Sequence, residues 1–198
     1  NVDTEIFAQA FKDQQTGAKK LLDPAGMNSF MMEFSKKMND KKIAEQKVKA
    51  EENQKKAVEI LEKNKKNPAI KTTASGLQYE VIKKGTGKET PKASDLVKVL
   101  YTGKLPDGTV FDSTDNRGKQ PSEFALGGVI KGWTEGIQLM NKGSQYRFYI
   151  PANLAYGDNG AGGVIPPGAL LIFDVELLDF NSGNPPTTPP PPATPAKK

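Results

Sequence analysis

The apolar residues change their period once, near Pro68, and that switch divides the chain into two kinds of structure. Upstream, Met27, Phe30, Met31, Phe34 and Met38 follow one another at intervals of 3, 1, 3 and 4, the spacing of one face of an α-helix. Downstream, Leu77-Gln-Tyr-Glu-Val-Ile82 and Val97-Lys-Val-Leu-Tyr101 alternate apolar with polar, the period of a half-buried strand. The chain is therefore expected to be helical in front and an α+β domain behind.

Within the front part, a first helix is expected that Asp3 can cap, with apolar positions Ile6, Phe7, Ala10 and Phe11 and Gly17 as its expected stop. Asp23-Pro24 opens a second helix, with Pro where a missing N–H does no harm. Residues 36–67 hold eleven Lys, six acids and few large apolar side chains. Ile43, Ala50 and Ala57 repeat at seven, but Lys47 and Gln54 occupy the alternate seam that a coiled coil would fill with apolar residues. A mostly solvated helix ended by Pro68 is expected, a spacer in which about 30 residues span roughly 45 Å. The Met-rich stripe needs a partner surface. Two short helices make too small a core to stand alone, so pairing with a second copy, a homodimer through residues 1–40, is expected.

In the rear part, Leu105-Pro-Asp-Gly-Thr109 is a hairpin turn between two alternating runs. Further strands are expected at 122–126, 145–150 and 170–178, with one short helix from Trp133 to Met140. After residue 180, seven Pro in 18 residues predict an extended tail with no core. The expected divisions are 1–35, a helical dimerisation region; 36–71, a charged linker helix; 72–180, the α+β domain; and 181–198, the Pro-rich tail.

Composition excludes several chemistries. There is no His and no Cys. No Ser-His or Cys-His nucleophile pair, disulfide or zinc–thiolate site can be built, so neither a metal nor a cofactor is expected. Catalysis must run on Asp, Glu, Tyr, Lys or Arg, or on binding geometry alone. No apolar run is long enough to span a membrane. Residues 1–70 carry 14 Lys against 11 acids with few aromatics among them, and residues 71–180 balance at 12 against 12, so nucleic-acid binding is not expected. With neither an initiator Met nor a signal-like apolar segment, the chain reads as a processed or truncated product. The missing Cys fits an oxidising envelope compartment, and the bacterial periplasm or cell envelope is the expected location.

Six segments of the rear part, in this order and spacing, carry a resemblance: Val99-Leu-Tyr101-Thr-Gly103, Asp107-Gly-Thr-Val-Phe111-Asp112-Ser113, Val129-Ile130-Lys-Gly132-Trp133, Leu154-Ala-Tyr156-Gly157, Ile165-Pro-Pro-Gly168 and Leu171-Ile-Phe173-Asp-Val-Glu176-Leu177-Leu178. Together they resemble the FKBP family of peptidyl-prolyl cis-trans isomerases. The helical front followed by Leu77-Gln-Tyr79 resembles the Mip-like (macrophage infectivity potentiator) subfamily. The resemblance implies an FKBP-like twisted antiparallel β-sheet wrapped on a short helix, preceded by an all-α N-terminal domain and a long linker helix. It implies a prolyl isomerase, with chaperone activity, whose partners are unfolded or partly folded proline-containing proteins, and which takes FK506- or rapamycin-type ligands.

The resemblance also assigns roles. Trp133 would floor the pocket beneath the proline ring, with Tyr101, Phe111, Val129, Ile130, Ile165 and Phe173 around it. The Ile130 N–H would hold one substrate carbonyl and the Tyr156 hydroxyl would donate to another. Asp112 would lie beside the twisting amide, steadied by Tyr101 and Arg117. Each residue alone has a plainer reading. Tyr101, Phe111 and Phe173 fit strand cores, Trp133 caps a core equally well, Asp112 suits a turn, Tyr156 suits a loop anchor, and Arg117 suits a solvated loop. Three departures stand out: Ser122 after Pro121, Ala161 in the glycine-rich loop, and the short Gly127-Gly128 connection. They remove contacts at the rim, so an altered substrate preference and weaker macrocycle binding are expected, with the fold unaffected.

Overall fold

Three alternating strands build the centre of the sheet. The computed structural model describes residues 24–181; the helix expected after Asp3 and the Pro-rich tail beyond Asn181 lie outside them. Helix α1 runs without a break from Pro24 to Lys65, and Pro68 follows its end at the distance a helix stop predicts. The strands are β1 (Ile70–Thr72), β2 (Gln78–Lys83), β3 (Leu96–Lys104), β4 (Val110–Ser113), β5 (Ser122–Ala125), β6 (Gln145–Ile150) and β7 (Leu171–Asn181). A short helix, α2 (Lys131–Ile137), joins β5 to β6.

These strands form one antiparallel sheet in the order β1-β2-β6-β7-β3-β4, and β5 shares the outer edge of β3 with β4. The period of two decides which face is buried. Val97, Val99 and Tyr101 of β3, Tyr146, Phe148 and Ile150 of β6, and Leu171, Phe173, Val175 and Leu177 of β7 all point into one core, where Trp133 and Ile137 of α2 meet them. The expected strands at 77–82, 122–126, 145–150 and 170–178 are present, β7 running three residues further, and the helix expected from Trp133 to Met140 starts two residues earlier and ends three residues sooner. The three-residue strand β1 was not expected, because three residues offer no period to read.

On the outer face of the sheet, Arg147 grips Asp174 through two hydrogen bonds, at 2.5 and 3.2 Å, and Lys104 approaches the same carboxylate at 2.8 Å. Residues 147 and 174 are register partners of β6 and β7, so the pair cross-links the two central strands.

Residues from Gln46 onward form one compact unit with the sheet, and the residues before them form another. The spacer expectation treated residues 36–67 as solvated; within the sheet unit, Ala50 and Ala57 of α1 are buried. In the other unit, Phe30, Met31, Met32, Met38 and Ile43 are each half or more exposed, and the Phe30 and Phe34 rings stack at 6.3 Å.

Burial alone would raise the Asp174 carboxyl, but the hydrogen bonds from Arg147 and Lys104 outweigh it and hold it below the ordinary carboxylate range. A carboxyl depressed in the folded state stabilises the protein above its unfolded value of about 3.9, and that stability is lost as pH falls through the folded value. Asp174→Asn is therefore expected to cost about 1–2 kcal/mol at pH 7 and less near pH 2. Urea unfolding at the two pH values checks this, and an equal loss at both would contradict the assignment.

Candidate active site

At the open end of the core, the sheet and α2 enclose a cavity of about 340 Å³. Strand β3 supplies Tyr101, β4 supplies Phe111 and Asp112, β5 supplies Phe124 and β7 supplies Phe173. The segment entering α2 adds Gly128, Val129, Ile130 and Trp133, and the loop after Leu154 adds Tyr156 and Ile165. Asp112 is the one charged side chain in this lining.

Trp133 is the hub of the aromatic wall and only 4% exposed. Its ring meets Tyr101 at 5.0 Å and 87°, Phe173 at 5.2 Å and 79°, and Phe124 at 5.5 Å and 86°. Phe111 stands edge-on to Phe173 at 5.4 Å and 85°. Edge-to-face contacts place the positive ring edge against the negative face, so each ring orients the next. Gly103 permits this arrangement. A β-carbon there would sit 2.6 Å from both Phe111 Cζ and Phe173 Cε1.

Asp112 is held from behind. The Tyr101 hydroxyl donates to Asp112 Oδ2 at 2.5 Å, and Arg117 Nη2 donates to the Tyr101 oxygen at 2.8 Å. Arg117 Nη1 also lies 3.4 Å from Asp112 Oδ1, with its guanidinium 5.7 Å from the centre of the Tyr101 ring. Burial, with the hydrogen bond to Asp112 behind it, pushes the Tyr101 hydroxyl far above the ordinary tyrosine range. Burial and then the Asp112 charge raise Tyr156 as well. Burial works against the Arg117 charge, but the Tyr101 contact and the Asp112 charge leave its pKa raised.

Some donors of the lining residues are without a protein acceptor, the buried Trp133 indole N–H being one of them. Among the described residues the Ile130 N–H has no protein acceptor, although its carbonyl accepts from Trp133 and Thr134. Among the described residues the Tyr156 hydroxyl has none either, and Tyr156 is 40% exposed at the rim.

Nine of the ten residues singled out in the sequence line this one cavity: Tyr101, Phe111, Asp112, Val129, Ile130, Trp133, Tyr156, Ile165 and Phe173. The tenth, Arg117, is outside the lining and reaches the site through Tyr101 and Asp112. Phe124 was missed, and Gly128, expected only as part of a short connection at the rim, is in the lining. The alternation of β5 held the signal for Phe124, whose register partner Val97 is buried. Ser122 is half-buried and does not line the cavity. Phe124, two residues on, is the aromatic that β5 contributes.

A family model described as FKBP-type peptidyl-prolyl cis-trans isomerase matches residues 87–178, and one described as the domain amino terminal to that isomerase matches residues 1–81. A protein of Legionella longbeachae named outer membrane protein MIP is 43% identical over 178 residues, 90% of this chain and 76% of that one. This chain belongs to the FKBP-type peptidyl-prolyl isomerase family. The FKBP-type isomerase FkpA of Aeromonas hydrophila is 46% identical over 177 residues, 89% of this chain and 65% of that one. The chain thus spans about two thirds of the length of some curated relatives. The crystal structure of FkpA from Escherichia coli superposes with a TM-score of 0.75 at 37% identity, covering 93% of this chain and 84% of that one.

The geometry yields a direct test. Gly103→Ala forces two rings apart in a packed wall, and overpacking of this kind costs about 1–3 kcal/mol. Trp133 is the only Trp in the chain, so its fluorescence reports this wall alone. A shifted emission spectrum is expected, with a lower urea midpoint. An unchanged spectrum would contradict the close approach at Gly103.

Proposed function

We propose that this chain is a peptidyl-prolyl cis-trans isomerase acting on proline-containing segments of unfolded or partly folded proteins. The observation that carries the proposal is an aromatic cavity with one carboxylate on its lining, beside which the Ile130 N–H and the Tyr156 hydroxyl have no protein acceptor. Rotation about a peptide bond meets a barrier of about 18–20 kcal/mol, because twisting breaks amide resonance. No bond need be made or broken. The protein must only bind the twisted amide better than either planar form. Twisting removes the charge separation of the amide, so an apolar wall favours the twisted state over the polar planar one.

In this reading the proline ring lies on Trp133, walled by Tyr101, Phe111, Val129, Ile130, Ile165 and Phe173. The Ile130 N–H and the Tyr156 hydroxyl hold carbonyls on either side of the turning bond. That fixes the flanks while the amide rotates between them. Asp112, clamped by Tyr101 and Arg117, lies beside the turning amide. The FKBP-domain macrocycles FK506 and rapamycin would enter the same cavity, with rim contacts reduced by Ser122.

Asp112→Ala, Tyr156→Phe and Trp133→Leu are each expected to slow exchange of a proline peptide by about 10-fold or more, with far-ultraviolet circular dichroism unchanged. Full rates in all three variants would sink the assignment. The site has no His, and both tyrosines are raised above their ordinary values of about 10. They stay protonated donors through the physiological range. The rate is expected to be nearly flat between about pH 6 and 8 after the assay's own dependence is removed. A sharp titration there would mean that a proton is transferred.

A second reading makes the protein a dimeric chaperone with residual isomerase activity. The exposed row Phe30, Met31, Met32 and Met38 favours it, since flexible Met side chains suit varied apolar partners. The same row supports a homodimer through residues 1–40. The name of the Legionella relative and the missing Cys support a place in the bacterial envelope or periplasm. No helix among the described residues is long and apolar enough to cross a membrane. Sedimentation is expected to give twice 21.5 kDa, and a monomer would contradict the pairing. If Asp112→Ala removes the peptide rate but leaves suppression of client aggregation intact, the chaperone reading gains over the first.

A further inference from the structure

We propose that Asn53 and Ala50 of helix α1 are positioning residues for the cavity, holding from behind the loop that carries Tyr156 and Ile165. The inference rests on the isomerase reading of that cavity and deepens it. All the contacts lie within the compact unit that begins at Gln46.

The loop leaves the core at Tyr156 and returns at Gly168, and it is tied at its neck by the Gly168 N–H donating to the Gly157 carbonyl at 3.0 Å. Across the loop, Ala161 and Ile165 bridge each other. One face of α1 meets both stems. Asn53 Nδ2 donates to the Pro167 carbonyl at 2.8 Å, two residues from Ile165. Gln54 Nε2 donates to Asp158 Oδ1 at 2.6 Å, two residues from Tyr156. Ala50, 3% exposed, lies against Gly168. Gly168 adopts φ +68°, and a β-carbon on it would stand 2.8 Å from Ala50 Cα, so backbone meets backbone. On the same face, Ala57 is buried and the Leu61 carbonyl accepts from Gln78 Nε2 at 2.9 Å. The spacing 50, 53, 54, 57, 61 is one helical stripe. The Tyr156 hydroxyl is useful only where it can reach a substrate carbonyl, and a loop stem held on two sides has fewer places to put it. The helix thereby becomes part of the binding site without touching it.

The test uses the full chain. Asn53→Asp keeps size and shape but replaces the donor with a carboxylate facing a carbonyl. Ala50→Leu keeps a strong helix former but overfills the seam. Glu59→Gln, exposed on the same helix, is the control. Each is measured by amide 1H–15N spectra, by urea unfolding and by KM and kcat on a short proline peptide. The expected result is shifted amides across residues 156–168, a roughly 3- to 10-fold loss in kcat/KM concentrated in KM, and a peptide rate restored toward normal in Asn53→Gln, which keeps the donor. The control should change none of these. Loop amides that stay in place in both variants would overturn the proposal, and so would amides that move without any change in KM. If the unaltered chain has no rate above background, the isomerase reading fails by itself. The positioning claim is then judged on the amides and on proline-peptide affinity read by Trp133 fluorescence, with unchanged affinity in both variants overturning it.

Discussion

The site depends on Trp133 packing edge-on against three rings that arrive from three different strands. Tyr101, Phe124 and Phe173 come from β3, β5 and β7, and each meets the indole within 5.0–5.5 Å. Each such pair contributes about 0.5–1.5 kcal/mol beyond its buried area. The contacts converge only if α2 lies across the sheet and if β5 returns to the edge of β3. Sheet order and cavity shape are therefore one constraint. A wall assembled this way is rigid before any ligand arrives, which lowers the entropic cost of binding a rigid ring such as proline.

The electrostatics follow from the same packing. Asp112 stands in an aromatic wall, where an unpaired carboxylate would be costly. Tyr101 and Arg117 stabilise it, and Tyr101 serves twice, once as ring and once as donor. Burial holds that hydroxyl in its protonated form, so the donor is always present. A proton-transfer enzyme would need a group that changes charge near neutral pH, and the chain has no His to supply one. Rotation about an amide asks for no such group. The composition and the cavity thus agree on a chemistry of shape and desolvation.

Much of this was legible in the sequence, and the limits have physical causes. Strands β3, β6 and β7 alternate cleanly because each has one wet and one dry face, so their positions and buried residues could be read from period alone. Strand β1 is too short to have a period. Nine cavity residues were identified through segments whose order resembles a family, whereas periodicity by itself could not separate Phe111 or Phe173 from ordinary core. Phe124 sits two residues beyond Ser122 on the same face of β5, and a four-residue strand is too short for its period to set that aromatic apart. Arg117 was placed near Asp112 by resemblance. Its geometry depends on a turn after β4 that no pattern of hydrophobicity encodes.

The stripe on α1 shows why a buried surface can pass for a solvated one. Hydropathy registers large apolar side chains, and between Gln46 and Leu61 the buried positions are Ala50 and Ala57. Their smallness is the condition for contact, because at Gly168 the two backbones approach until no side chain fits between them. Close approach also brings polar groups within reach, so Asn53 and Gln54 fill positions that a looser interface would give to Leu. The Lys residues of this stretch are then left to the outward face, where they carry charge without opposing the contact. A seam of small and amide side chains therefore reads as polar in sequence while acting as packing in the fold. The distinguishing mark is the seven-residue return of Ala50 and Ala57, which solvation alone does not require.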